Sequence, residues 1–478
     1  GADPATPVRG LAVDSREVKP GFLFIAIPGE RLDGAEFAQY ALRQGATGVI
    51  ATPAGLGTIR ETVGEPPVPI FLSQNPRAEL SRLAALWHPA QPETIAAITG
   101  TNGKTSTAHF LRQIWAAAGL AAAAFGTTGV EGAGFAEPLS HTTPEPLTLH
   151  ALLSRLAAKG CTHAAMEASS HGLAQHRLDG VRLAAAGLSN ITRDHMDYHP
   201  THEAYVAAKL RLFGAVLPPH GVAVLNADDP VFEAARALAD ARGQPVLSVG
   251  RERADLRLGQ PRFEATGQRV SFTWANRTHD VYLGLIGAFQ ADNVGLAAGL
   301  ALATGVPAET VFEALPRLTG VKGRMEHVAT RGNGASVYVD YAHTHAALET
   351  ALKALRPHVA GRLIVVGGAG GDRDPGKRPL MGRAMALYAD AAIVTDDNPR
   401  SEDPATIRAA VMAGCPEADE IGDRAHAILA GVDSLKSAQD CLLIAGKGHE
   451  QGQEVGGEVI PFDDGEQART AVAVLEAE

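Results

Sequence analysis

Thr99-Gly100-Thr101-Asn102-Gly103-Lys104-Thr105-Ser106 decides how the chain is read. The apolar run Ile95-Ala96-Ala97-Ile98 before it reads as a buried strand, and residues 108–118 after it read as a helix. A strand, a glycine loop and a helix opened by Lys-Thr make a phosphate cradle. Glycines let successive backbone N–H groups face phosphate oxygens, Lys104 can reach the outer phosphates, and the Thr105 hydroxyl can sit on Mg²⁺. The usual pattern has a glycine five residues before Gly103, where Ile98 stands, so this loop is a shortened variant. The other reading is a Gly-rich turn that merely caps a helix.

The 478 residues suffice for about two to four domains. A net charge of −11 argues against nucleic acid as a partner. The three cysteines, Cys161, Cys415 and Cys441, are far apart and form no C-x-x-C. Buried thiols are expected, without a disulfide framework or zinc site. No signal-peptide pattern is visible, and the longest apolar stretch, 114–125, is broken by Gly119 and too short for a bilayer. The expectation is a cytoplasmic protein with no membrane partner, acting as a monomer.

Outward from the loop, the chain divides into three. Residues 1–10 are expected to lack order. Strands are read at 11–13, 22–27 and 48–51, a helix at 35–44, and a Gly/Pro-rich loop at 52–69. Asn75-Pro76 signals a capped helix ending near Trp87. His88-Pro89-Ala90-Gln91-Pro92 reads as a linker, which closes a small first α/β domain at about residue 90. Residues 91–320 hold the loop strand and strands at 162–166, 184–188, 221–225 and 245–249 separated by helices, the spacing of a parallel sheet. Antiparallel strands are expected over 254–286 and a helix over 288–303. The alternation restarts in 321–478, with strands at 337–340, 363–366, 391–395 and 441–445. The fold class is α/β throughout: a small N-terminal domain, a central P-loop ATPase-like sheet and a C-terminal Rossmann-like sheet.

Chemistry-bearing residues follow the strands, where open α/β sheets bind ligands. Glu167 ends the 162–166 strand and is either a Mg²⁺ ligand or a solvated loop carboxylate. Ser169, Gln175 and Arg177 follow on a polar loop. Asn190-Ile191-Thr192-Arg193-Asp194-His195-Met196-Asp197-Tyr198-His199 is dense in His, Asp and Arg, and reads equally as a metal and phosphate site or as a surface loop. Lys209 stands among Ala207, Ala208 and Leu210, where a lysine commonly snorkels. In the last domain four strand ends carry Asp340-Tyr341-Ala342-His343, the glycine run 367–371 before Asp372-Arg373-Asp374, Asp396-Asp397-Asn398-Pro399-Arg400, and Gly446-Lys447-Gly448-His449-Glu450. Together they describe a crevice for a polar ligand. Arg373 and Arg400 can clamp a carboxylate and Glu450 can accept from an ammonium, which suits an amino acid.

Gly100-Thr101-Asn102-Gly103-Lys104-Thr105, Asp194 to His199, Asp340-Tyr341-Ala342-His343 and Gly446-Lys447-Gly448-His449-Glu450 together resemble the Mur ligases of peptidoglycan synthesis. Val13-Asp14-Ser15-Arg16, Thr142-Thr143 and the 169–177 stretch resemble the member that extends UDP-N-acetylmuramoyl-L-alanyl-D-glutamate by a diamino acid. The resemblance implies ATP and Mg²⁺ at Gly100, Thr101, Asn102, Gly103, Lys104, Thr105 and Ser106, with Asn293, Arg324, Asp340 and His343 adding nucleotide contacts. It implies metal ligands at Thr105, Glu167, His195 and Lys209, the lysine carbamylated by CO₂. Val13, Ser15, Glu30, Arg31 and Leu32 match positions that hold the UDP end. Thr142, Thr143, Ser169, Gln175 and Arg177 match positions that hold the muramoyl-dipeptide. Arg373, Asp397, Asn398, Pro399, Arg400, Gly446 and Glu450 match the amino-acid pocket. Asn-Pro-Arg goes with meso-diaminopimelate, whose distal carboxylate Arg400 can hold and which lysine lacks. One departure is His345, where the family has proline after Tyr-Ala-His-Thr; a local loop change is expected there.

The implied reaction is ATP-dependent amide ligation through an acyl phosphate, with Lys104, Glu167, His195, Lys209 and His343 as catalytic candidates and His343 as the candidate base. Site residues spread over three domains lead to an expectation of domain closure. The rivals are an L-lysine-adding version, a folylpolyglutamate synthase-like ligase, and a non-catalytic nucleotide-binding protein.

Overall fold

The computed structural model describes residues 7–29, 32–192 and 198–477. The chain forms two compact units, one of residues 1–249 and 296–307 and one of 250–295 and 308–478.

The first unit opens with four parallel strands in sequential order: β1 (Gly10–Ala12), β2 (Phe22–Ile25), β3 (Gly48–Ala51) and β4 (Ile70–Leu72). Gly10 therefore belongs to a strand, although residues 1–10 were expected to lack order; residues 1–6 lie outside the described residues. A larger correction concerns 52–69, which is not a loop: Pro53–Val63 is a helix. Its Pro and Gly are end signals. The Thr52 hydroxyl accepts from the Gly55 N–H, Pro53 fills the first turn, and Gly64 closes the helix at φ 77°. The Asn75 cap and the helix Pro76–Trp87 stand where the sequence placed them.

The unit's main sheet has strand order β12-β11-β10-β5-β9-β6-β7-β8. Its strands are β5 (Thr94–Thr99), β6 (Ala122–Gly126), β7 (Gly129–Gly132), β8 (Phe135–Glu137), β9 (His163–Glu167), β10 (Ala185–Leu188), β11 (Val222–Asn226) and β12 (Val246–Gly250). From β6 to β12 the order is parallel, and β7 and β8 extend it antiparallel. The parallel strands are short apolar runs buried on both faces, as a sheet covered by helices requires. The cysteines are free and buried, as expected.

In the second unit β13 (Leu256–Leu258), β14 (Arg262–Glu264), β15 (Gly267–Trp274) and β16 (Arg277–Leu283) pair antiparallel. A six-stranded sheet follows in the order β17-β18-β22-β19-β20-β21. It comprises β17 (Glu326–Thr330), β18 (Ser336–Asp340), β19 (Leu363–Gly367), β20 (Ala391–Val394), β21 (Asp419–Glu420) and β22 (Cys441–Ala445), all parallel except β17. The hairpin β23 (Gly452–Val455) and β24 (Glu458–Pro461) comes next. His345 begins the helix His345–Leu355, capped by Thr344. The first helical position suits proline and tolerates histidine, so the departure at His345 gives a regular helix start where a loop change was expected.

Candidate active site

In the first unit β9, β5 and β10 are neighbours, so three loops at their C-terminal ends meet. The middle loop runs from Gly100 to Gly103, and the helix Lys104–Ala117 starts after Gly103 at φ 85°. A Cβ at Gly100 would fall 1.9 Å from the Ser189 Oγ, so only glycine lets the loop lie against the end of β10. The Lys104 Nζ donates to the Gly100 and Thr101 carbonyls at 3.0 and 2.8 Å. On the β10 side, the Asn102 N–H donates to Asn190 Oδ1 at 3.2 Å, and the Asn190 amide donates back to the Asn102 carbonyl at 3.1 Å.

Glu167 is the last residue of β9 and is buried, which excludes a solvated loop carboxylate. Its Oε1 accepts from the Thr105 hydroxyl at 2.9 Å and the Thr127 N–H at 2.8 Å. The Thr127 hydroxyl lies 3.3 Å from Oε2 and 3.1 Å from the Thr142 hydroxyl. A Cβ on Gly126 would lie 2.0 Å from Oε1, so Gly126 makes room for this carboxylate. Neither Gly126 nor Thr127 was picked out from the sequence; their signal is contact across β6 and β9 alone.

Lys209, on the helix His202–Arg211, does not snorkel: it is 1% exposed. Its Nζ donates to the Gly100 carbonyl at 2.6 Å and lies 4.6 Å from the Tyr205 ring centroid. Lys209, Glu167 and Thr105 are thus all brought to the glycine loop. His195, Glu30 and Arg31 lie outside the described residues. Among the described residues no three His, Cys, Asp or Glu gather as a metal cage. A hydroxyl and a single carboxylate beside a phosphate loop are hard oxygen donors and fit Mg²⁺, which shares its shell with substrate phosphates and water.

The Thr143 hydroxyl donates to the Glu167 carbonyl at 2.8 Å and accepts from the Ser169 N–H at 3.0 Å. Ser169 caps the helix Ser170–Ala174. Arg177 binds the Thr143 carbonyl at 2.5 Å and the Gln175 Oε1 at 2.7 Å, and the Gln175 amide donates to the Tyr198 hydroxyl at 3.0 Å. These residues form one polar wall beside Glu167. Further toward the N-terminus, Ser15 is buried in the turn Ser15–Glu17 beyond Val13, and Leu32 is exposed.

In the second unit β18, β22, β19 and β20 are neighbours, so the four strand ends singled out from the sequence lie side by side. At β18, burial raises the Asp340 carboxyl above its usual range, and its Oδ2 accepts from the Met325 N–H at 2.7 Å. The Arg324 guanidinium stacks 4.9 Å over Tyr341. His343 is exposed, and its Nδ1 lies 2.9 Å from the Tyr341 carbonyl. A carbonyl only accepts, so Nδ1 carries a proton, and in the neutral ring the lone pair is on Nε2. Asn293, on the helix Ala288–Ala303, is buried and donates to Gln290.

At β20 and β22 a network runs through Asn398. Its Oδ1 accepts from the Lys447 Nζ at 2.7 Å and the Glu454 N–H at 3.0 Å. Its Nδ2 therefore faces Glu450, donating to Oε2 at 2.9 Å. Lys447 is completely buried, and burial lowers its pKa. Asp397 is buried with no partner for Oδ2 among the described residues, and a Cβ on Gly446 (φ 123°) would lie 2.2 Å from that oxygen. Arg400 donates from Nε to Glu454 at 2.9 Å and from Nη1 to the Gly371 carbonyl at 2.8 Å. Arg373 is exposed, and its Nη1 makes a long contact, 3.4 Å, to the Asp372 carbonyl. Lys447 stands in the sequence only as a member of the 446–450 motif, and Glu454 lies outside every motif read there. Arg400 and two acidic side chains, Asp397 and Glu450, thus share one crevice, the complement of a ligand bearing carboxylate and ammonium.

Comparison with known proteins gives the chain a family. Residues 7–88 match the model "Mur ligase family, catalytic domain", 98–301 "Mur ligase middle domain", and 323–448 "Mur ligase, glutamate ligase domain". The chain is 50% identical over 467 residues to a UDP-N-acetylmuramoyl-L-alanyl-D-glutamate–2,6-diaminopimelate ligase of Chelativorans sp., covering 98% of this chain and 95% of the relative. It is 49% identical over 468 residues to the protein of that name from Rhizobium meliloti, covering 98% and 95%. A solved structure of a ligase of the same name superposes with a TM-score of 0.77 at 34% identity, covering 99% of this chain and 96% of that one. Glycine loop, crevice and full-length similarity lead to one assignment: the chain belongs to the Mur ligase family.

Proposed function

We propose that this protein is an ATP-dependent peptide ligase that joins meso-2,6-diaminopimelate to the D-glutamate γ-carboxylate of UDP-N-acetylmuramoyl-L-alanyl-D-glutamate, as a cytoplasmic monomer. The observation that carries the reading is the crevice of the second unit, where Arg400 stands with the Asp397 and Glu450 carboxylates among four adjacent strand ends. Full-length relatives named for this reaction support it. Domain limits of 1–90, 91–320 and 321–478 go with it, since each boundary falls between two segments matched by separate family models.

In the first half of the reaction the γ-carboxylate oxygen attacks the γ-phosphorus of ATP, and the bond to ADP breaks, leaving an acyl phosphate. The 100–106 loop and Lys104 hold the phosphates, and the wall of Thr142, Thr143, Ser169, Gln175 and Arg177 holds the dipeptide. Asn293, Arg324 and Asp340 serve the nucleotide. Val13, Ser15 and Leu32, with Glu30 and Arg31, serve the UDP end. Glu167 and Thr105, with His195, would hold Mg²⁺, whose charge would offset that of the phosphates. Lys209 suits that shell only as an anion. Its neutral amine adds to the carbon of CO₂ and loses a proton, which converts a repelling ammonium into a carbamate oxygen ligand. In the second half the amine of diaminopimelate attacks the acyl carbon, phosphate leaves, and the amine gives up a proton. His343 Nε2 is the candidate acceptor.

The test is phosphate release from ATP and Mg²⁺ with the UDP-sugar dipeptide, comparing meso-diaminopimelate with L-lysine. Release with diaminopimelate alone, and a tripeptide product by mass, is expected. Release with lysine alone would overturn the reading of Arg400; release with neither would favour a folylpolyglutamate synthase-like ligase or a nucleotide binder. For Lys209, activity should fall when CO₂ is stripped and return with bicarbonate.

A further inference from the structure

Arg400 occupies left-handed backbone, φ 53°, which a long side chain adopts only when its surroundings hold it there. The holder is the β23–β24 hairpin. The Arg400 N–H donates to the Glu454 carbonyl at 3.0 Å, and the Gly456 N–H donates to the Arg400 carbonyl at 2.8 Å. Arg400 and Val455 are bridged as if in parallel strands. Glu454 contributes twice more. Its N–H fixes the Asn398 amide at 3.0 Å, and its Oε2 takes the Arg400 Nε at 2.9 Å. With Nε on Glu454, the side edge that Nε shares with Nη2 is taken up; the remaining edge is the end-on one, Nη1 with Nη2, where among the described residues Nη1 gives one of its two hydrogens to the Gly371 carbonyl.

We propose that Glu454 is a positioning residue for Arg400: by taking Nε it commits the side edge of the guanidinium and presents the end-on fork to the carboxylate that distinguishes diaminopimelate from lysine. This rests on the functional reading above. It accounts for a carboxylate of the chain's own being kept beside an arginine meant for a substrate carboxylate. Glu454 repels the incoming anion, and what it gives in return is a fixed fork geometry, on which bidentate recognition depends. Specificity would then reside in the hairpin as well as in the Asn398-Pro399-Arg400 loop.

Two variants separate positioning from charge and from folding. Glu454→Gln keeps an acceptor for Nε without the charge; Glu454→Ala removes both. The preference for diaminopimelate over L-lysine in kcat/KM should fall about tenfold in Glu454→Ala, the size of one charge-assisted hydrogen bond, through a raised KM for diaminopimelate. The KM values for ATP and the UDP-sugar dipeptide should stay as in the wild type, and Glu454→Gln should recover most of the preference. A loss shared equally by all three substrates, or an unchanged preference in Glu454→Ala, overturns the proposal. A second readout needs no substrate: the Arg400 Nε–H signal in a nitrogen-15 spectrum, assigned by its loss in Arg400→Lys. It should be protected from exchange in the wild type and exposed in Glu454→Ala; an unprotected wild-type signal overturns the pairing. A wild-type enzyme that uses neither amino acid overturns the functional reading and the specificity it carries, while the Nε–H signal still decides whether Glu454 holds Arg400.

Discussion

Glu167 sits where a single methyl group would displace it. A Cβ at Gly126 lies 2.0 Å from Oε1, against the carboxylate that also binds Thr105 and the Thr127 N–H. Gly126→Ala is expected to lower kcat by about a hundredfold, the size of effect that a misplacement of about 1 Å produces. Gly57→Ala, on the helix Pro53–Val63 with nothing within 4 Å of its Cβ, should leave turnover unchanged. Steady-state kinetics on the two purified variants checks both. His150 gives a prediction of another kind. It is fully buried, its Nε2 has no partner among the described residues, and burial pushes its pKa down to about 4. The unfolded chain, with an ordinary histidine pKa near 6.5, binds more protons than the folded protein between these values. Stability from this group is therefore complete above pH 6.5 and is lost as pH falls toward 4, by on the order of 3 kcal/mol at most. Urea unfolding from pH 7 to 4.5 should show a smaller acid loss in His150→Gln than in the wild type; parallel curves would refute the assignment.

Among the elements, the helices Arg424–Asp433 and Asp464–Ala477 are joined by a fully buried ion pair, Arg424 to Asp464 at 2.7 Å. Arg424 also donates to the Ala445 carbonyl at the end of β22, so the pair anchors both helices to the strand that carries the 446–450 loop. Removing one partner strands the other charge. Asp464→Asn should destabilise the protein by about 3–5 kcal/mol, while the double variant Arg424→Met/Asp464→Leu should recover most of that loss in denaturant unfolding. Elements were legible wherever local chemistry decides them. The helices Pro76–Trp87 and Ala288–Ala303 and the strand Cys441–Ala445 stand where the sequence put them. The helix Pro53–Val63 was hidden because its ends use the residues of a loop, Thr52, Pro53 and Gly64. Pairing across the sheet was not legible. Nothing local in Cys441–Ala445 says that it slips between β18 and β19, yet that insertion is what gathers the four motifs. The same limit explains Gly126, Thr127 and Glu454: Thr127 meets its partner 40 residues away along the chain, Glu454 meets its partner 54 residues away, and Gly126 lies against the same Glu167 as Thr127.

Over the whole molecule the chemistry is shared out. Lys104, Thr105, Glu167 and Lys209 belong to the first unit, and Asp397, Arg400 and Glu450 to the second. In the proposed reaction, forming the acyl phosphate calls on the phosphate loop and the dipeptide wall, and accepting the amine calls on the crevice among β18, β22, β19 and β20. Variants in the phosphate loop and in the Arg400 crevice should therefore stop the reaction at different points. Isotope exchange between ADP and ATP, with the UDP-sugar dipeptide present and no amino acid, reads the first half alone. Lys104→Ala should abolish that exchange and the overall reaction together, because the phosphoryl charge then has no ammonium to meet it. Arg400→Ala should keep the exchange within about threefold and lower kcat/KM for diaminopimelate by about a hundredfold or more, since a bidentate, charge-assisted contact to a substrate carboxylate is lost. If Arg400→Ala lost exchange as fully as Lys104→Ala, the crevice would be needed before any amine arrives, and its assignment to the amino acid would have to be given up.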